Sequence, residues 1–99
     1  MSEIQIIYKD QDLLAIQGNI NMHNIVPLRT RGEKLIIEMQ RPCSISFADV
    51  YAVQTAALSL ILCWIRYAKK HNKQIQFIDL PKQLANWLDI IHLSHLANH

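Results

Sequence analysis

The chain has 99 residues, 51% of them hydrophobic and 18% charged, which suits one compact domain with a single modest core and excludes a disordered chain. The formal charge of +2 comes from scattered Lys and Arg, with 7% aromatic residues, so the clustered basic and stacking residues of a nucleic-acid groove are missing. Cys43 and Cys63 are too few for a disulfide framework and read as reduced thiols in or near the core of a cytosolic protein. The chain is therefore read as a single domain over residues 1–99.

The N-terminal residues carry Glu3 and only a brief apolar run, which is not a secretory signal. Ile4, Ile6 and Tyr8 then alternate with Gln5, Ile7 and Lys9, a strand pattern. Lys9-Asp10-Gln11-Asp12 supplies a turn, and Leu13 to Gln17 returns as a second strand before Gly18. Between residues 21 and 39, Ile25, Leu28, Leu35, Ile36 and Met39 fall at helical spacings, with Asn21 or Asn24 as N-cap and Pro27 near the first turn. Gly32 weakens this helix by about 1 kcal/mol relative to Ala without forbidding it. Arg41-Pro42 ends it, and Cys43 to Phe47 reads as a buried strand.

The apolar run from Ala56 to Ile65 is interrupted by Ser59 and falls short of the roughly 20 residues of a bilayer span, so no membrane insertion is expected. From Thr55 the pattern is helical: Ala57, Leu60, Ile61, Trp64, Ile65 and Ala68 converge on one face. Lys69 and Lys70 close the helix at the negative end of its dipole, and Asn72 stops it. Gln74 to Asp79 alternates as another strand. Asp79 is placed to cap a last helix, with Pro81 in its first turn and Leu84, Trp87, Leu88 and Ile91 as its apolar stripe. The order β-β-α-β-α-β-α predicts an α/β fold whose mixed sheet opens with an antiparallel hairpin and continues through parallel crossovers.

The opposite side of the 55–70 helix is the candidate site. Thr55, Ser59, Leu62 and Arg66 share a stripe away from Trp64, flanked by Lys69 and Lys70. A lone exposed leucine is common and requires no function. Small hydroxyls grouped around one leucine and framed by a cation match a docking surface as well. Thr55 itself, as N-cap or first helical residue, satisfies a backbone N–H that would otherwise be orphaned, which is a sufficient structural role. A phosphate there would meet the positive end of the dipole, which makes Thr55 a phospho-acceptor position to weigh. No neighbouring His or carboxylate in the sequence activates it as a nucleophile.

A wider pattern links these pieces. A strand over Cys43 to Phe47 leads to "VQTAAL" at a helix start, followed by "WIRYAKKHNKQIQFIDLPKQLANWLDIIHL". From Gly18 onward, and most specifically over Val53 to Leu93, the chain resembles a STAS domain, within that superfamily the MlaB-type subunits of bacterial phospholipid-transport ABC complexes. The family's helix-start signature, Asp-Ser/Thr-x-Gly, stands here as Gln54-Thr55-Ala56-Ala57. Thr55 matches the functional hydroxyl, whereas Gln54 replaces the acid that assists phosphorylation in partner-switching members.

The resemblance implies a STAS-like fold and a non-catalytic cytoplasmic subunit, peripheral to the inner membrane through its complex. It would bind and support the transporter's ATPase, alongside a permease and an MCE protein, in maintaining outer-membrane lipid asymmetry. The alternative it implies is an anti-sigma-factor antagonist regulated by phosphorylation at Thr55. No cofactor is implied. His92, His95 and His99 have the spacing of metal ligands on a continuous helix, but no Cys or carboxylate motif completes a set, and no metal site is expected. With only Gly18 and Gly32 in the chain there is no Gly-rich phosphate loop, and Asp10, Asp12 and Asp49 read as turn or loop acids. The chain is expected not to be an enzyme.

Overall fold

The computed structural model describes residues 4–50, 55–90 and 97–98. Chain order is β1 (Gln5–Asp10), β2 (Leu13–Gly18), α1 (Ile25–Glu38), β3 (Cys43–Val50), α2 (Thr55–Lys70), β4 (Ile75–Ile78), α3 (Lys82–Ile90) and β5 (Ala97–Asn98). The sheet runs β1-β2-β3-β4-β5 in space, with β1 antiparallel to β2 and every later pair parallel. This is the predicted mixed α/β order, with β5 added. Two residues carry no period, so β5 was not legible from sequence.

Side chains alternate across the sheet as a strand's period of two requires. Ile6, Leu14, Ile16, Ile45, Phe47, Ile75 and Phe77 point into one apolar cluster. Leu28 and Ile36 of α1, Ala57, Leu60, Ile61, Trp64 and Ala68 of α2, and Leu84 and Leu88 of α3 fill the same cluster. The α2 face thus lies where periodicity put it, with Ile65 half-buried against the cluster. On the other side of the strands stand buried Ala15 and Ser46, which are Cα partners, and half-buried Ile7, Ser44, Gln76 and Ile78. Tyr8, expected on the same face as Ile6, is 47% exposed. It sits near the end of an edge strand whose register shifts between Tyr8 and Asp10.

The helix boundaries show where local chemistry decides. Asn24 precedes α1, but its Oδ1 accepts from the Asn21 backbone N–H at 2.9 Å and makes no cap bond to the helix. Asn72 ends α2 in the left-handed region, φ 56°, which Asn tolerates better than most residues. The Lys73 N–H donates to Ala68 O at 2.8 Å and the Asn72 N–H to Lys69 O at 3.3 Å, the paired bonds of a Schellman stop. Lys73 Nζ then donates to Met39 O at 2.6 Å, tying the end of α2 to the end of α1. Asp79 does not cap α3: it takes φ 55° three residues before the helix. Its carboxylate instead accepts from the buried Ser46 hydroxyl at 3.1 Å, since a buried hydroxyl needs a partner.

Candidate functional site: the outer face of α2

The parallel strands β3 and β4 each lead on to a helix, α2 and α3, from their C-terminal ends on the same side of the sheet. In β3 the register with β2 shifts between Ala15 and Gln17, so Ala15 pairs with Ser46 while Gln17 pairs with Asp49. The extra residue is a bulge on β3. Ser46 Oγ accepts from the Ala48 N–H there at 3.2 Å while donating to Asp79, which ties the middle of β3 to the residue that follows β4. Residues 51–54, Gln54 among them, lie outside the described residues, and the described chain resumes with Thr55 as the first residue of α2.

Thr55, Ser59 and Arg66 are exposed and Leu62 is half-buried. Helical spacing puts all four on one narrow arc away from Trp64. Leu58, Ile65 and Tyr67 pack against the core, whereas Leu62 takes no part in that packing among the described residues. Its apolar side chain therefore contributes to the outer surface between two hydroxyls and a guanidinium. Thr55 is a helical residue of the first turn, where a side-chain oxygen or an added anion meets free N–H groups and the positive end of the dipole.

Beside this stripe lies a groove of about 220 Å³ between α1 and α2, lined by Arg29, Glu33, Cys63, Arg66, Tyr67 and Lys70. The sequence reading did not single it out. Arg29 and Glu33 are four apart on α1, and Cys63, Arg66, Tyr67 and Lys70 recur at three and four along α2, so each half had a signal. What placed the two halves together is a contact that neither helix pattern contains. Gly32 packs against the Trp64 ring, and Trp64 Nε1 donates to Arg29 O at 3.1 Å.

Among the described residues no group of His, Cys, Asp and Glu could hold a metal ion. His92, His95 and His99 lie outside them. Cys43 and Cys63 are free thiols, one buried and one half-buried. Burial pushes the Cys43 thiol up to about 12; a backbone hydrogen bond from Leu14 works against this and the Asp12 charge adds to it. No described helix is long and apolar enough to cross a membrane.

The fold is STAS-like, a mixed sheet with its helices in β-β-α-β-α-β-α order. It superposes on the solved structure of the anti-sigma factor antagonist SpoIIAA in its unphosphorylated form with a TM-score of 0.73, covering 97% of this chain and 86% of that one. Sequence identity is 11%, so the likeness is one of fold. No family model matches the sequence, and a search of curated proteins gives no match.

Proposed function

We propose that this chain is a STAS-family docking module, without catalysis of its own, that binds the ATPase subunit of an ABC phospholipid transporter through Thr55, Ser59, Leu62 and Arg66. The observation that carries a docking role is the outer face of α2. There exposed Thr55, Ser59 and Arg66 surround a half-buried Leu62 that takes no part in the core formed by the described residues. A small patch of this kind becomes energetically useful only when a partner removes it from water. The ATPase as partner rests on the sequence resemblance, which extends through the α2–β4–α3 region. In that complex, beside a permease and an MCE protein, the module would shift the ATPase toward its active conformation only as far as it binds that conformation more tightly. It would sit on the cytoplasmic side of the inner membrane through these contacts.

A second reading has its own support. The fold likeness to SpoIIAA favours an anti-sigma-factor antagonist in which Thr55 accepts phosphate from a partner kinase. Gln54 in place of the family acid weighs against it. Affinity purification of the tagged chain from its own host, followed by intact-mass measurement and fragmentation of the peptide that holds Thr55, separates the two. Recovery of an ABC ATPase with unmodified Thr55 supports the transporter role. Recovery of a kinase together with phosphate on Thr55 supports the antagonist and refutes the transporter role.

A further inference from the structure

We propose that the groove between α1 and α2 receives an acidic segment of the protein partner, with its carboxylates paired to Arg29, Arg66 and Lys70. This deepens the docking role of α2, because Arg66 belongs to both the stripe and the groove. A partner covering Ser59 and Leu62 continues directly onto it.

Charge is the first argument. Three cations line the groove against one carboxylate, Glu33, in a chain whose total formal charge is only +2. The groove thus carries a net +2, while the other seven Lys and Arg are balanced by the other seven acids. The second argument is the state of Arg29. Its Nε is buried without a hydrogen-bond partner, and the nearest carboxylate oxygen, on Glu33, stands 4.0 Å away, beyond hydrogen-bond reach. The Arg29 side chain is nevertheless 43% exposed, so the outer part of its guanidinium is open to an incoming carboxylate, which it can grip with two parallel N–H groups. The third argument is that the site is built in advance. The Arg29 carbonyl is held by the Trp64 indole, and the Tyr67 ring rests against His71 in a tilted contact with centroids 4.4 Å apart, so less ordering is needed on binding.

The same features select the occupant. A nucleic-acid backbone calls for a longer run of cations with stacking rings. A lipid surface calls for exposed apolar residues around the charges. The exposed large hydrophobics among the described residues are Tyr8, Met22, Val26, Ile37 and Ile90, none of which lines the groove. The half-buried Cys63 and Tyr67 between the cations suit the alkyl stems of Glu side chains.

The test is a titration of the isotopically labelled full-length chain with hexaglutamate, with hexaglutamine as the neutral control, followed by amide chemical shifts at two salt concentrations. Hexaglutamate should move the amides of residues 29, 33, 63, 66, 67 and 70, less so at high salt, and hexaglutamine should not. Arg66→Gln with Lys70→Gln should weaken binding about tenfold, as expected for two largely exposed ion pairs, while Lys82→Gln on α3 should leave it unchanged. Shifts scattered over the surface, or equal weakening by Lys82→Gln, would overturn the proposal. So would a response at these amides to inorganic phosphate or to phosphatidylglycerol vesicles but not to hexaglutamate. The probe needs no partner, so the groove can stand when the ATPase assignment fails, and the ATPase can bind α2 when the groove fails.

Discussion

Gly32 of α1 lies directly under the indole of Trp64: a Cβ added to Gly32 would fall 2.5 Å from Trp64 Cε2, 2.6 Å from Nε1, and closer still to Cζ2. Only a residue without a side chain lets the two helices approach this far, and the approach leaves Trp64 with no exposed surface while its Nε1 reaches Arg29 O. Two effects compete in Gly32→Ala. Helix propensity favours Ala by about 1 kcal/mol, whereas forcing a methyl into a packed site costs about 1–3 kcal/mol. Overlap with a ring held by its own hydrogen bond should win. Gly32→Ala is expected to destabilise the protein by up to about 2 kcal/mol in urea unfolding, net of that gain. In a Trp64→Phe background the Gly32→Ala cost should shrink, a coupling that a double-mutant cycle reads directly. Trp64→Ala alone should cost about 3–5 kcal/mol through lost transfer energy and the cavity it leaves.

The same pair marks the limit of what the sequence could tell. The buried faces of α2 and α3 were legible because a helix against a sheet must repeat its apolar residues every three or four positions, and Leu60, Ile61, Trp64, Leu84 and Leu88 do so. Asn72 as a stop was legible because its local chemistry suffices. Gly32 read as a simple weakness, since its role depends on a residue of another helix. Asp79 read as a cap, since Asp before Pro and an apolar helix fits that pattern, but a buried Ser46 on a neighbouring strand claims its carboxylate. The α2 stripe was visible as a period. The groove beside it was not, because it exists only once the helices are side by side.

The two thiols should react very differently. Cys43 is 3% exposed, and its thiol is pushed up to about 12 by burial, with Asp12 adding to the effect. Titration with a chromogenic disulfide reagent at pH 8 should modify Cys63 readily and Cys43 only after denaturation. The raised value also fixes a pH dependence. An unfolded Cys43 loses its proton near pH 8.5, whereas the folded one holds it up to about 12. Its contribution to stability is then complete below about pH 8.5 and is lost as pH rises from there toward the folded value. Unfolding curves of the parent between pH 8 and 11 should fall more steeply than those of Cys43→Ala, whatever offset the smaller side chain introduces. Parallel curves would show that Cys43 ionises as easily folded as unfolded.

Asp79 joins two demands in one residue: a left-handed backbone, φ 55°, and a carboxylate that accepts from buried Ser46. Asp79→Asn keeps both the tolerance for that conformation and an acceptor oxygen, and should change stability by less than about 0.5 kcal/mol. Asp79→Ala removes the acceptor and strains the backbone, so a loss of about 1–3 kcal/mol is expected. Ser46→Ala should then cost less in the Asp79→Ala background than in the parent, because only the bond from the Ala48 N–H is left to lose. Full additivity of the two changes would show that the hydrogen bond carries no energy.

Thr55 and Leu62 give the sharpest test of the docking face, because neither should matter to the isolated fold. Thr55 is an exposed residue in the first turn of α2, where a negative charge is favoured by the helix dipole by about 0.3–1 kcal/mol, so Thr55→Glu should leave stability intact or slightly raised. Leu62 is half-buried but takes no part in the core formed by the described residues, and Leu62→Asp should cost the fold little. In a desolvated interface the balance reverses, since an unpaired charge must shed its water without compensation. If the proposed ATPase is the partner, both variants should bind it about 30-fold more weakly or worse, the lower bound of a hot-spot loss. Thr55→Ser keeps the hydroxyl and should bind within a few-fold of the parent. Circular dichroism and thermal melts confirm folding, and a pull-down with an ATPase assay reads the interface. If folded Thr55→Glu and Leu62→Asp bind and stimulate the ATPase as the parent does, α2 is not the docking face.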